Sequence, residues 1–246
     1  MGIVNAKRST TEAYNNRLRD SFPAYYAADV VLNSIDEDLT TKSWNIVMSG
    51  TPTENFKAKK LDPCFHYSTS LSWFYDIFYK KLFELCPDVE SMFENVSLVH
   101  QGKLLATVIG SALASLKKPI ILKKRLIALA QSHNGKGVKA IHYCNMGLAL
   151  FWSLEEVLGV SVMNEETRTS WVKMYSYMLN IIIPRVVKFS LGMPDTECDD
   201  ENSSSTNSSK RLLQIEVNFQ SIGSYMKGSS KSVVHPSTTS EPGTSR

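Results

Sequence analysis

Residues 129–143 read LAQSHNGKGVKAIHY. An apolar helical turn runs into His133, a corner bearing Gly135 and Gly137 follows, and another helix opens before Tyr143. A histidine on the inner edge of a helix that stops at glycine has two readings. It is an ordinary core histidine bonded to a carbonyl, or it is a metal ligand. The stretch alone does not choose, so the choice rests on what surrounds it.

Working outward, residues 122–133 form one helix with Leu126, Leu129 and Ala130 inward. The next helix runs from about residue 139 to residue 158 and stops at Gly159. The last opens at Asn164-Glu165-Glu166, a capping side chain followed by acids at the positive helix end, and turns Trp171, Met174, Tyr175, Met178, Ile181 and Ile182 inward. Pro184 is expected to kink it. Upstream, residues 67–86 carry a wide apolar face of Leu71, Phe74, Tyr75, Phe78, Leu82, Phe83 and Leu85, ended by Pro87. A short link bears Met92 and Phe93. Beyond it Leu98, Gln101, Leu105, Val108 and Ala112 share a face through Leu116 that is apolar except for Gln101. An earlier helix, with Asp36, Asp38 and Thr40 or Thr41 available as caps, puts Leu39, Trp44 and Val47 on one side and stops at residues 49–52; residues 50–63 read as a polar loop.

No stretch alternates as a strand does, so the expected fold is all-α. The expected domains are an N-terminal extension over 1–35 with a short helix after Pro23, a helical domain over 36–192, and a disordered Ser/Thr-rich tail over 193–246 holding at most a short element at 212–219. A net charge of +3 and the lack of basic residues interleaved with aromatics argue against a nucleic-acid partner. Cys64, Cys86, Cys144 and Cys198 form no Cys-x-x-Cys pair, which argues against a zinc site and a disulfide framework and for reduced thiols in the cytoplasm. The longest uncharged run, 140–154, falls short of a transmembrane span of about 20 residues. Gly2 follows Met1 as N-myristoylation requires, although Ala6 stands where Ser or Thr is preferred; with Lys7 and Arg8, an acylated Gly2 would give peripheral membrane attachment.

Four segments together resemble the globin family over about 150 residues. Residues 78–87, FYKKLFELCP, with Met92-Phe93 after them, resemble a globin B helix, C turn and corner phenylalanine. Residues 100–105, HQGKLL, resemble the distal stretch of the E helix. Residues 129–133, LAQSH, resemble the end of the F helix with His133 at the proximal iron-ligand position, and Thr169-Ser170-Trp171 resembles the start of the H helix. The resemblance implies a globin fold of helices A, B, C, E, F, G and H around a haem b (iron protoporphyrin IX) pocket.

On that resemblance His133 is the iron ligand, with Ser132 or the Leu129 carbonyl one turn back as acceptor for its other ring N–H. Phe93 would lie against the macrocycle and keep water from the iron. Tyr79 and Gln101, with Leu105 one turn on, would form the distal side, a pair similar to that of bacterial-type single-domain globins and flavohaemoglobins. His100 is the competing distal residue, since adjacent helical positions point about 100 degrees apart. Leu129, Val138 and Tyr143 complete the implied cofactor set, and His142 is expected to be solvated or near a haem propionate. A tyrosine hydroxyl and an amide N–H both donate to a diatomic ligand, so the resemblance implies reversible dioxygen binding with slow release, and NO and CO as further ligands. Flavohaemoglobins complete a proximal triad with a glutamate of the last helix. Residues 184–188 hold no acid, and no flavin or nicotinamide segment is present, so NO dioxygenase or nitrite reductase chemistry would need an external reductase.

Overall fold

Helix starts are set by side chains that satisfy the first free backbone N–H groups. In the computed structural model, which describes residues 2–194, Asn33 Oδ1 accepts from the N–H groups of Ile35 and Asp36 at 2.9 Å, and Asp36 Oδ2 accepts in return from the Asn33 N–H at 3.2 Å. The helix therefore begins at Ser34, ahead of the candidate caps at 36–41. The helices in order are α1 (Gly2–Asp20), α2 (Ser34–Ser49), α3 (Glu54–Lys59), α4 (Ser70–Leu85), α5 (Pro87–Glu90), α6 (Leu98–Leu113), α7 (Pro119–Asn134), α8 (Ala140–Leu158) and α9 (Glu165–Ser190), with a 3₁₀ turn at Ser91–Phe93 between α5 and α6. The expected tail from residue 195 onward, with its element at 212–219, lies outside the described residues.

The chain is all-α among the described residues, consistent with the globin fold that the resemblance implies. α4 packs on α8 and α6, and α9 packs on α2, α7 and α8. Asp36, besides its part in that cap, joins α2 to α9: its Oδ1 accepts from the Ser170 hydroxyl at 3.0 Å and from Lys173 Nζ at 3.1 Å. Next to it Trp171 Nε1–H donates to Ser43 Oγ at 3.0 Å, and Trp44 stands edge-on to Phe74 and Trp171 with centroids 5.4 and 6.3 Å apart. Each such ring removes apolar surface from water on the order of 2 kcal/mol.

Three sequence expectations are corrected. The loop over 50–63 contains α3: Thr53 Oγ1 accepts from the Phe56 N–H at 3.2 Å and donates to the Val157 carbonyl at 2.6 Å, which seats Phe56, 2% exposed, against Phe65 and Trp73. One aromatic in a six-residue helix, ENFKAK, gives no periodicity to detect. The helix expected after Pro23 is a turn, with the Tyr26 N–H donating to the Pro23 carbonyl at 3.0 Å, and the extension is helical before it, in α1. Leu98 is exposed, and the buried side of α6 carries Gly102, Ala106, Ile109 and Leu113 instead. Gly102 sets the approach of α6 to α4: a Cβ there would fall 2.4 Å from Tyr75 Cγ, so only glycine lets the helices come this close. α9 runs through Pro184 to Ser190, the proline at which a kink is expected.

Candidate functional site

The expected distal residues come from two helices and the turn between them. Tyr79 lies on α4, one turn beyond Tyr75, and is buried. Pro87 at the first position of α5 starts the short helix that delivers Phe93, whose ring stands 5.5 Å from both Tyr79 and Phe83. Burial, with Tyr75 adding to it, pushes the Tyr79 phenol well above its usual range, so it stays a neutral O–H donor. Gln101 is 5% exposed and precedes Gly102, the point where α6 touches α4; His100 is only half-buried. Leu105, one turn after Gln101, is half-buried against the core. Among the described residues Tyr79 and Gln101 are near the same helix contact but are not hydrogen-bonded to each other.

On the other side, α7 is carried by α9 rather than by α4. His133 sits in its last turn. The corner folds back tightly, with the N–H groups of Lys136 and Val138 both donating to the His133 carbonyl at 3.0 and 3.1 Å and Gly137 at φ +77°, a conformation that favours glycine. This return brings Tyr143 over the histidine, and the expected acceptors, Ser132 and the Leu129 carbonyl, are replaced: His133 Nδ1 lies 3.0 Å from the Tyr143 hydroxyl. Leu129 and Val138 are half-buried beside it. Burial first, and the Lys136 ammonium second, push the His133 pKa down to about 4, so the imidazole is neutral at pH 7. In the tautomer whose Nδ1–H donates to the Tyr143 oxygen, Nε2 keeps its lone pair for a metal.

His142 departs from the solvated reading. It is 5% exposed, accepts at Nδ1 from the Lys139 N–H at 3.2 Å, and holds Asp88 Oδ2 at 3.1 Å through Nε2. Lys139 Nζ reaches the same carboxylate at 3.3 Å, and the two donors hold Asp88 below the usual carboxylate range. The proximal corner is thereby tied to the α5 segment that positions Phe93. The partners are 54 residues apart, so no local spacing could reveal them.

The donor set decides what this arrangement can hold. Among the described residues no group of three or more His, Cys, Asp or Glu could bind a bare metal ion. A lone neutral imidazole suits an iron whose remaining equatorial ligands come from a macrocycle. The aromatic cluster of Tyr79, Phe83 and Phe93 suits the apolar surface of such a group. The residues present fit haem.

Comparison with known proteins gives the same direction. The globin family matches residues 77–182, a span that contains Tyr79, Phe93, Gln101, His133 and Tyr143. These residues form a globin domain. A flavohemoprotein of Rhodopirellula baltica is 29% identical over 111 residues, which is 44% of this chain and 27% of that protein, so the globin domain spans about a quarter of that relative. A solved structure of an engineered carbene transferase from Rhodothermus marinus aligns with 77% of this chain and 99% of its own, at 18% identity and a TM-score of 0.46. Sequence reasoning did not single out Asp88, Gly147 or Tyr25 near the globin site, and it placed Tyr175 only as core. Their contribution depends on contacts between segments far apart in the chain.

Proposed function

We propose that this globin domain binds haem b at His133 and holds dioxygen reversibly. The observation that carries the reading is the His133 Nδ1 contact with the Tyr143 hydroxyl, which leaves a neutral Nε2 available on the helix where the family places its ligand. Haem, when bound, supplies an iron that takes a diatomic gas. The chain supplies the rest. Phe93 and Leu105 exclude water, Tyr79 keeps a neutral phenol in a buried position, and Gln101 offers an amide N–H from the facing helix. Each donor to a partly negative ligand contributes on the order of 1–2 kcal/mol, about tenfold in residence time. Absorption spectra of the ferric, ferrous and ferrous-CO states test the cofactor. Stopped-flow dioxygen release tests the donors: Tyr79→Phe with Gln101→Leu is expected to speed release by roughly a hundredfold, and an unchanged rate removes the distal assignment.

The flavohemoprotein match favours a second reading, an NO dioxygenase supplied by an external reductase. Against it, residues 184–188 contain a buried arginine, Arg185, and no acid. Sustained NO consumption with an added reductase would decide for it. We place the protein in the cytoplasm, at a membrane surface if Gly2 is acylated, which mass spectrometry of the N-terminal peptide reads directly. No single helix among the described residues is long and apolar enough to cross a membrane.

A further inference from the structure

Residues 21–27 lie outside the span matched by the globin family, yet they are stitched to its proximal side. The Cys144 thiol donates to the Ser21 carbonyl at 3.2 Å, and the Tyr25 hydroxyl donates back to the Cys144 carbonyl at 2.8 Å. The Tyr26 hydroxyl bonds Asn180 Oδ1, and the Ala27 N–H donates to Ser176 Oγ at 3.1 Å. Tyr25 also packs edge-on against Phe151 at 5.3 Å and beside Tyr175 at 6.4 Å.

Tyr175, buried on α9, donates its hydroxyl to the carbonyl of Tyr143 at 2.7 Å. Consecutive carbonyls at 143 and 144, near the start of α8, thus each accept a tyrosine hydroxyl from another segment. The residue one turn above explains how two phenols reach them. A Cβ on Gly147 would stand 2.1 Å from the Tyr25 hydroxyl and 2.6 Å from Tyr175 Cε1, so any side chain there would push both away. The side chain of the same Tyr143 holds His133 Nδ1. Burial keeps both phenols protonated, so they remain donors.

We propose that residues 21–27, with Tyr175, form a positioning strap for the proximal histidine: Tyr25 and Tyr175 fix the backbone at 143 and 144 and so hold the Tyr143 hydroxyl on His133. This rests on the haem reading of His133. The strap touches neither gas nor iron, and it acts only by setting how strongly and at what angle the imidazole is held. A stretch that looks like an appendage is part of the haem site.

The test uses the full chain loaded with haem. The iron–histidine stretching band of the ferrous protein, read by resonance Raman, reports the hydrogen bond at Nδ1. Tyr25→Phe and Tyr175→Phe keep both rings and remove only the hydroxyls. Each is expected to shift the band in the direction of Tyr143→Phe, with haem stoichiometry and helical content unchanged. Gly147→Ala perturbs the same contact from α8 and is expected to shift it likewise, with little added by Tyr25→Phe. A band unmoved in Tyr25→Phe and Tyr175→Phe overturns the strap. So does loss of helical content in both, because the hydroxyls would then support the fold at large. If His133→Ala keeps the wild-type band, the haem reading itself fails, an outcome distinct from an unmoved band in the strap variants.

Discussion

Replacing Gly102 by alanine sets two effects of opposite sign against each other. Alanine in a helix interior is favoured over glycine by about 1 kcal/mol. The added Cβ, however, would lie 2.4 Å from Tyr75 Cγ and 2.7 Å from both Cδ atoms, about 1 Å inside ordinary van der Waals contact. These atoms are the root of a buried ring, which cannot swing aside as a flexible tip can. Either α6 moves away from α4 or the ring leaves its rotamer, and such overpacking costs about 1–3 kcal/mol. The expected net effect is a loss of about 1 kcal/mol, or roughly 2–4 °C in Tm for a chain of this size. Urea titration of wild type, Gly102→Ala, Tyr75→Leu and the double variant forms the cycle. The double variant should be more stable than the sum of the singles, because the leucine has no ring root at that spot. Since Gln101 adjoins the displaced residue, dioxygen release should also quicken. A Gly102→Ala protein as stable as wild type, or more so, would refute the claim that this contact is closed to a methyl group.

Phe56→Ala should cost about 3 kcal/mol in denaturant unfolding, because the side chain is 2% exposed between Phe65 and Trp73; a loss of under about 0.5 kcal/mol would mean that α3 is a surface ornament. Asp36→Ala should destabilise by about 2 kcal/mol by stranding Ser170 and Lys173, and Asp36→Asn, which keeps an acceptor, should lose less. In the haem-free chain His133 has its pKa lowered to about 4 from 6.5, so the unfolded state binds the proton more readily. Its contribution is complete above pH 6.5 and is lost as pH falls from there towards 4, by at most about 1.4 kcal/mol per pH unit. His133→Gln should flatten that slope, and an equal slope in both proteins would show that the imidazole is not held neutral by the fold.

Periodicity carried the helical readings because long amphipathic faces are local: the runs around Phe74, Leu126 and Trp171 each repeat within their own segment. Tyr79, Phe93, Gln101 and His133 are singled out on a different ground, the resemblance of their segments, in order and spacing, to a known family. What the sequence hid was every partner chosen across the fold. His133 could be assigned a helix end, but its acceptor is Tyr143 because the Gly137 corner turns back on itself. His142 looked like a surface residue until Asp88 arrived from 54 positions away. Asp36 looked like a cap and serves also as an inter-helix acceptor. Polar residues declare a local role readily and a distant one not at all, since hydrogen-bond partners leave no period in the chain.

The stitching of residues 21–27 has a consequence for the order in which the chain can assemble. Its bonds join positions 119, 149 and 154 apart in sequence, so none can form until α8 and α9 exist. During synthesis this segment emerges before α8 and α9 and locks only after them. Closing loops of that length costs entropy that no local contact offsets, which makes this step a late one in refolding from denaturant. Such a late, few-bonded unit is also the natural one to open first: hydrogen exchange should find the Ala27 amide released at a lower free energy than the core of α8, as a seam that parts while the helices beneath it stay folded.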